Sequence, residues 1–282
     1  MSKKWRAYPG SQASFDRSVE KLRRDWDELH RGDREPFPDP TTVGKGLKAS
    51  GARAGAREVE AALSSLIAAW GAFHRGDFEE AYRRGSELGP VGAVVAAKAE
   101  GIYAQYLETD ETAKLRRFMA VAERCEQALA ALPDAVNLHY LRAFALGRYG
   151  QGISIARALA EGLGGKVRES LSKTLAAVPD HAEAHSAMGL YHAEIIAKVG
   201  ATIGGLTYGA KASAAREHLR RATELTPAAP IAWIEYGNGL LLLEGDKGLE
   251  EAEKAYRRAA SIEPIDAMQA LDAAYAREQL ED

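Results

Sequence analysis

Residues 179–192 read PDHAEAHSAMGLYH, 213–227 read SAAREHLRRATELTP, 229–246 read APIAWIEYGNGLLLLEGD and 248–264 read GLEEAEKAYRRAASIEP. The second and fourth pieces align. Ala215, Leu219, Ala222 and Pro227 match Ala252, Tyr256, Ala259 and Pro264 at identical steps. The first and third align too, with His185, Met188 and Gly189 against Trp233, Tyr236 and Gly237. Steps of three and four residues put these side chains on one face of a helix. Each proline closes a helix that it cannot continue. The stretch therefore predicts two consecutive helix pairs.

Paired A-x3-F…P and W-x2-L-G spacings of this kind resemble the tetratricopeptide repeat, TPR. The resemblance implies an all-α fold, a TPR-like right-handed α-α superhelix of about four to five helix pairs. It also implies a concave face that grips a protein or peptide partner, so the expected function is a non-catalytic interaction scaffold. Working outward, Pro90, Pro133 and Pro179 continue the series of closing prolines. The excess over a standard repeat has a place. His139 precedes Val167 by 28 residues and His185 precedes Ala215 by 30, whereas Trp233 precedes Ala252 by 19. Two adjacent repeats therefore carry insertions between their helices, GRYGQGISIARALAEGLGGK at 147–166 and KVGATIGGLTYGAK at 198–211. Their apolar residues Ile153, Ile155, Leu159, Leu163, Ile203 and Leu206 are expected to bury against each other, a second subunit or a ligand.

Long inter-helix insertions, together with His139-Tyr140, Arg148, the run 162–181, His185, Gly189 and 213–227, resemble the TatT component of bacterial TRAP transporters. They are also similar to regulators of microtubule dynamics. That resemblance implies the alternative function, a small-molecule or lipid-binding protein with an apolar cavity formed by the insertions, and a homo-oligomer.

Toward the amino terminus, Phe15, Val19, Leu22, Trp26 and Leu29 predict an amphipathic helix over 11–31, with Gly32 as a left-handed cap. Residues 1–33 read as a helical arm, 34–57 as a basic linker and 58–282 as the repeat domain. Prolines 36, 38 and 40 and four glycines mark the linker, either mobile or an ordered strap along the body. Trp26-x3-His30-Arg31-Gly32-Asp33 recurs as Trp70-x3-His74-Arg75-Gly76-Asp77. Both copies read as helix ends, and Asp77 as the N-cap of the next helix.

The 282 residues carry a net charge of −3, without the basic excess of a general nucleic-acid binder. The single cysteine, Cys125, and an amino terminus without an apolar core lead to the expectation of a cytoplasmic protein. No apolar run approaches the ~20 residues of a membrane span.

Catalytic motifs are absent from the sequence, and no cofactor is expected. His181, His185 and His192 lie on one helical stripe and are weak metal candidates. The competing reading makes Asp180 an N-cap with Glu183 completing a capping box, and places His185 in the slot that His139 and Trp233 fill elsewhere. GLGGK at 162–166 lacks the strand and the Ser/Thr of a phosphate loop and reads as a flexible turn. Arg148 and Glu194 occupy equivalent positions on successive first helices, either as an ion pair or as the polar centre of a groove. Tyr140, Gln151, Lys198, Tyr208, Lys211, Glu235 and Asn238 complete the expected partner- or ligand-binding set.

Overall fold

The computed structural model describes residues 5–281, which form helices and no strands. The expected all-α, TPR-like architecture is the one found. The chain divides into two compact units.

The first unit comprises residues up to Glu28, Glu35–Gly152 and Asp266–Met268. It contains α1 (Val19–Leu29, all but its last residue), α2 (Pro40–Ala49), α3 (Ala56–His74), α4 (Phe78–Glu87), α5 (Ala93–Tyr106), α6 (Glu111–Ala131) and α7 (Val136–Gln151). From α3 onward each helix packs on the next. An aromatic cluster lies in the core of this unit. Trp26 meets Trp70 edge-on at 5.6 Å, and Phe73 meets Phe78 at 5.6 Å. Trp26 and Trp70 are 3% and 1% exposed. Such pairs add about 0.5–1.5 kcal/mol beyond the area they bury. The indole Nε1–H of Trp26 donates to the Glu35 carbonyl at 2.7 Å, which leaves no buried donor unpaired there.

The repeated Trp-His-Arg-Gly-Asp motif is thus a packing device whose two tryptophans touch. Its histidines find different carboxylates. His30 Nδ1 lies 2.8 Å from Asp33 Oδ1 within its own copy. His74 Nδ1 lies 2.8 Å from Asp266 Oδ2, 192 residues away. Asp77 is engaged as the N-cap of α4, accepting from the Glu80 N–H, so His74 takes a distant partner. The glycines differ as well. Gly76 has φ +90°, whereas in the first copy the left-handed residue is Arg34, at φ 54°, and not Gly32. The expected Gly32 cap is corrected accordingly: α1 ends at Leu29, before the motif's glycine. The predicted helix over 11–31 is also shorter, because Gln12–Phe15 is a single 3-10 turn and α1 starts only at Val19.

Residues 34–57 hold α2, whose Val43, Gly46 and Leu47 are buried. Asp39 caps it by accepting from the Thr41 and Thr42 N–H groups at 2.8 and 3.0 Å, and Pro40 takes the first helical position, where no N–H is needed.

The second unit comprises Leu29–Arg34, Ile153–Ile265 and the chain from Gln269. Its helices are α8 (Ile155–Ala160), α9 (Leu163–Ala177), α10 (Ala182–Val199), α11 (Ala201–Tyr208), α12 (Ala212–Leu225), α13 (Pro230–Glu244), α14 (Leu249–Ser261) and most of α15 (Ala267–Glu278). Each insertion contributes one short helix, α8 or α11. GLGGK is correspondingly not a flexible turn: Gly162 is left-handed at φ 63°, and α9 begins at Leu163. The repeat register is as predicted. Ala215, Ala222, Ala252 and Ala259 are 0–1% exposed at helix contacts, with Leu219 at 1% and Tyr256 at 6%.

The small residues are required by space. A Cβ on Gly189 would lie 2.5 Å from Leu219 Cγ and 3.1 Å from the Ala215 carbonyl oxygen, across the α10–α12 contact. Gly147, inside α7, would meet nothing within 4 Å. The same substitution should therefore have opposite signs at the two sites. Gly189→Ala should destabilise by about 1–3 kcal/mol through overpacking. Gly147→Ala should stabilise by about 0.5–1 kcal/mol through helix propensity. Denaturant melts of the two variants check both, and equal effects would reject the packing account.

Candidate functional site

The slot filled by His139, His185 and Trp233 has a definite chemistry. His139 Nε2 lies 3.1 Å from the Pro133 carbonyl oxygen, and His185 Nε2 lies 2.9 Å from that of Pro179. Trp233 Nε1–H donates to the Pro227 carbonyl at 3.0 Å. In every case the ring N–H reaches six residues back to the proline that closed the preceding helix. Histidine and tryptophan interchange here because both carry a ring N–H at the right reach. This bond places the proton on Nε2 of neutral His139 and His185.

The three candidate metal ligands therefore have separate duties. His181, wholly buried, is the N-cap of α10, its Nδ1 accepting from the Ala184 N–H at 3.0 Å. The expected Asp180 cap is corrected: Asp180 instead accepts from Arg221 at 2.7 Å, the imidazole having taken the capping position one residue later. His185 faces His218 of α12, Nδ1 to Nδ1 at 2.8 Å. Because His185 carries its proton on Nε2, His218 supplies the Nδ1–H. His192 stacks on His218 with ring centroids 6.1 Å apart, and its own buried Nδ1 has no hydrogen-bond partner. Among the described residues no three His, Cys, Asp or Glu side chains converge to hold a metal. The sequence reading missed His218, which lies on α12 against α10.

The polar candidates are dispersed. Arg148 donates to Gln151 at 3.2 Å on α7, and Glu194 pairs with Lys198 at 3.2 Å on α10, so each ion of the expected pair has a partner on its own helix. Tyr140 is buried, 6.5 Å from the Phe144 ring. The Tyr208 carbonyl accepts from Arg168 at 3.0 Å and from the Tyr191 hydroxyl at 3.1 Å, tying the end of α11 to α9 and α10. Lys211 is exposed at the start of α12. Glu235 is only 4% exposed and accepts from Asn238, which in turn accepts from the Tyr256 hydroxyl at 2.6 Å. The network is partly buried, and burial pushes the Tyr256 hydroxyl up to about 12.

The insertion residues separate into two groups. Leu163 is buried at 5% and Ile153 is partly covered. Ile155, Leu159, Ile203 and Leu206 stay exposed, at 45%, 48%, 57% and 86%. Of the three expected coverings, burial of the insertions against each other is not seen at these four positions; α8 has no buried residue and α11 buries only Gly204.

One cleft was not anticipated. About 270 Å³ in volume, it lies among α12, α13 and α14 and is lined by Arg220, Thr223, Trp233, Tyr236, Lys254 and Ala255, together with Glu251. Trp233 and Tyr236 are three residues apart and so face the same way. The Tyr236 hydroxyl donates to Glu251 at 2.6 Å, and burial, reinforced by that bond, pushes it up to about 12. Cys125 is fully buried, which pushes its thiol up to about 12 and leaves it unreactive. Among the described residues no helix is long and apolar enough to cross a membrane.

Burial, with His218, Arg168 and Lys211 nearby, lowers His192 to about 4. The unfolded chain then binds a proton near the ordinary histidine value of about 6.5 while the folded chain does not. Stability is full above that value and falls as pH drops toward 4, by at most about 1.4 kcal/mol per pH unit. Urea melts between pH 7 and 4 should show this slope reduced in His192→Gln. An unchanged slope would exclude His192 as its source.

No family model matches the chain, and no curated protein matches it. The crystal structure of a thermophilic TPR protein from Thermus thermophilus does, with a TM-score of 0.53 at 17% identity over 77% of this chain and 99% of that one. At that identity the likeness is one of fold, and it agrees with the repeat register: the chain has a TPR-like fold of stacked helix pairs.

Proposed function

We propose that this chain is a non-catalytic interaction scaffold that binds a protein partner as a peptide, with the α12–α14 cleft as an anchoring pocket. The cleft carries the reading. Trp233 and Tyr236 supply an aromatic wall, and Arg220 and Lys254 put two cations beside it. Such a pocket suits an apolar side chain next to an acidic one, because buried aromatics and flanking charges are what anchor peptide ligands. Glu194 and Lys198, expected on the concave face, and Lys211, expected among the partner contacts, belong to the same reading as further contacts. The lone thiol Cys125 accords with the cytoplasm, where it persists reduced. Panning a displayed peptide library on the full chain should enrich an apolar residue beside Asp or Glu. Trp233→Ala and Lys254→Glu should each weaken the selected peptide by about tenfold, measured by calorimetry. Peptides that bind both variants as they bind the original chain would overturn the assignment.

A second reading rests on the four exposed apolar residues of α8 and α11. Patches of this kind mark association or apolar ligands. In this reading the insertions form a subunit interface, whereas the TatT-like alternative has them line an apolar cavity for a small molecule or lipid. Sedimentation should then show a self-associated protein that Ile203→Glu with Leu206→Glu converts to folded monomers. A monomeric starting protein carrying no apolar ligand by native mass spectrometry would end this reading.

A further inference from the structure

Of the four tryptophans, Trp26 and Trp70 are core residues and Trp233 fills a repeat slot; Trp5 does something else. Residues 5–8 form no regular secondary structure and run over the surface between α4, α5 and α6 in the first unit. The Trp5 ring lies 4.2 Å from that of Tyr103 and 5.1 Å from that of Tyr82. The Arg117 guanidinium stands 4.7 Å from the Trp5 ring and 4.6 Å from the Tyr103 ring. The Arg6 N–H donates to the Tyr103 hydroxyl at 3.1 Å. Two tyrosines and an arginine thus grip one indole, and the neighbouring backbone is held by a side-chain oxygen.

Those contacts have the character of a bound ligand more than of a core. Trp5 stays partly open to solvent, and Arg6 and Ala7 are exposed. The surface beneath is built and incompletely used. Glu100, 5% exposed, has Arg117 and Arg124 each 3.5 Å away. Arg124 also donates to the Tyr82 hydroxyl at 3.0 Å, yet its buried Nε has no hydrogen-bond partner. A buried donor without a partner is costly, so the chain's own segment does not satisfy this surface fully. The second anchor, Tyr8, lies over Gly76, where an added Cβ would come 2.7 Å from Tyr8 Cγ.

We propose that the Tyr82–Tyr103–Arg117 surface is a binding site for an extended peptide presenting an aromatic side chain, and that residues 5–8 fill it in cis as an internal competitor. The site is separate from the α12–α14 cleft and stands without it. Tethering gives the internal segment an effective concentration of order millimolar, so an external peptide binds only by displacing it.

The test uses the full chain and a labelled synthetic peptide with the sequence of residues 1–12, followed by fluorescence anisotropy. The peptide should bind Trp5→Ala at least about threefold more tightly than the original chain. Replacing the tryptophan of the peptide by alanine should abolish that binding, and so should Arg117→Ala introduced into the Trp5→Ala chain. If Trp5→Ala fails to fold, Arg6→Pro, which deletes the N–H that reaches Tyr103, is titrated instead against the same criterion. A smaller difference between the vacated and the original chain, or no binding to a vacated chain that remains folded, overturns the proposal.

Discussion

Close backbone approach between neighbouring helices is the constraint on which the other features of this protein depend. Helices come together where Ala or Gly leaves room, and the Gly189–Leu219 contact shows how little is left over. Dispersion and burial reward such contacts only at near-crystalline packing density. Once Gly189 fixes α10 against α12, and Gly237 and Ala252 do the same for α13 and α14, the directions of the remaining side chains follow from helical geometry.

Two polar devices complete the packing. The ring N–H to proline carbonyl bond ties the start of a repeat's first helix to the turn just traversed, in both units. The buried His-Asp pairs do similar work over different spans: His30 and Asp33 close a turn, while His74 and Asp266 join residues 192 positions apart. In each pair the imidazole satisfies a carboxylate that would otherwise be costly to bury.

The cleft and the exposed apolar residues lie where the helices part. Trp233 and Tyr236 line a cleft because their stretch of α13 is not fully covered by α12 and α14. The short helices α8 and α11 expose Ile155, Leu159, Ile203 and Leu206; α8 buries no residue and α11 only Gly204. These are local outcomes of one rule: small residues bring helices together, and large ones are displayed where the helices part.

The sequence alone determined the fold class and the register. Steps of four, three and five residues with alanine at the contacts permit few other structures, and Ala215, Ala222, Ala252 and Ala259 are buried where the spacing put them. The slots of His139, His185 and Trp233 were equally legible, since equivalence across repeats is visible in one dimension. The pairings between residues distant in sequence were not legible. Nothing local distinguishes Asp266 from Asp77 as the partner of His74, or marks His218 as the neighbour of His185. Asp180 and His181 both suit a helix start, and only the position of Arg221 on α12 separates them. That Tyr140 and Glu235 are buried was not legible, because composition does not say which side of a helix a neighbour will cover. That is decided by tertiary packing, through close helix contacts in which a single added methyl group finds no room.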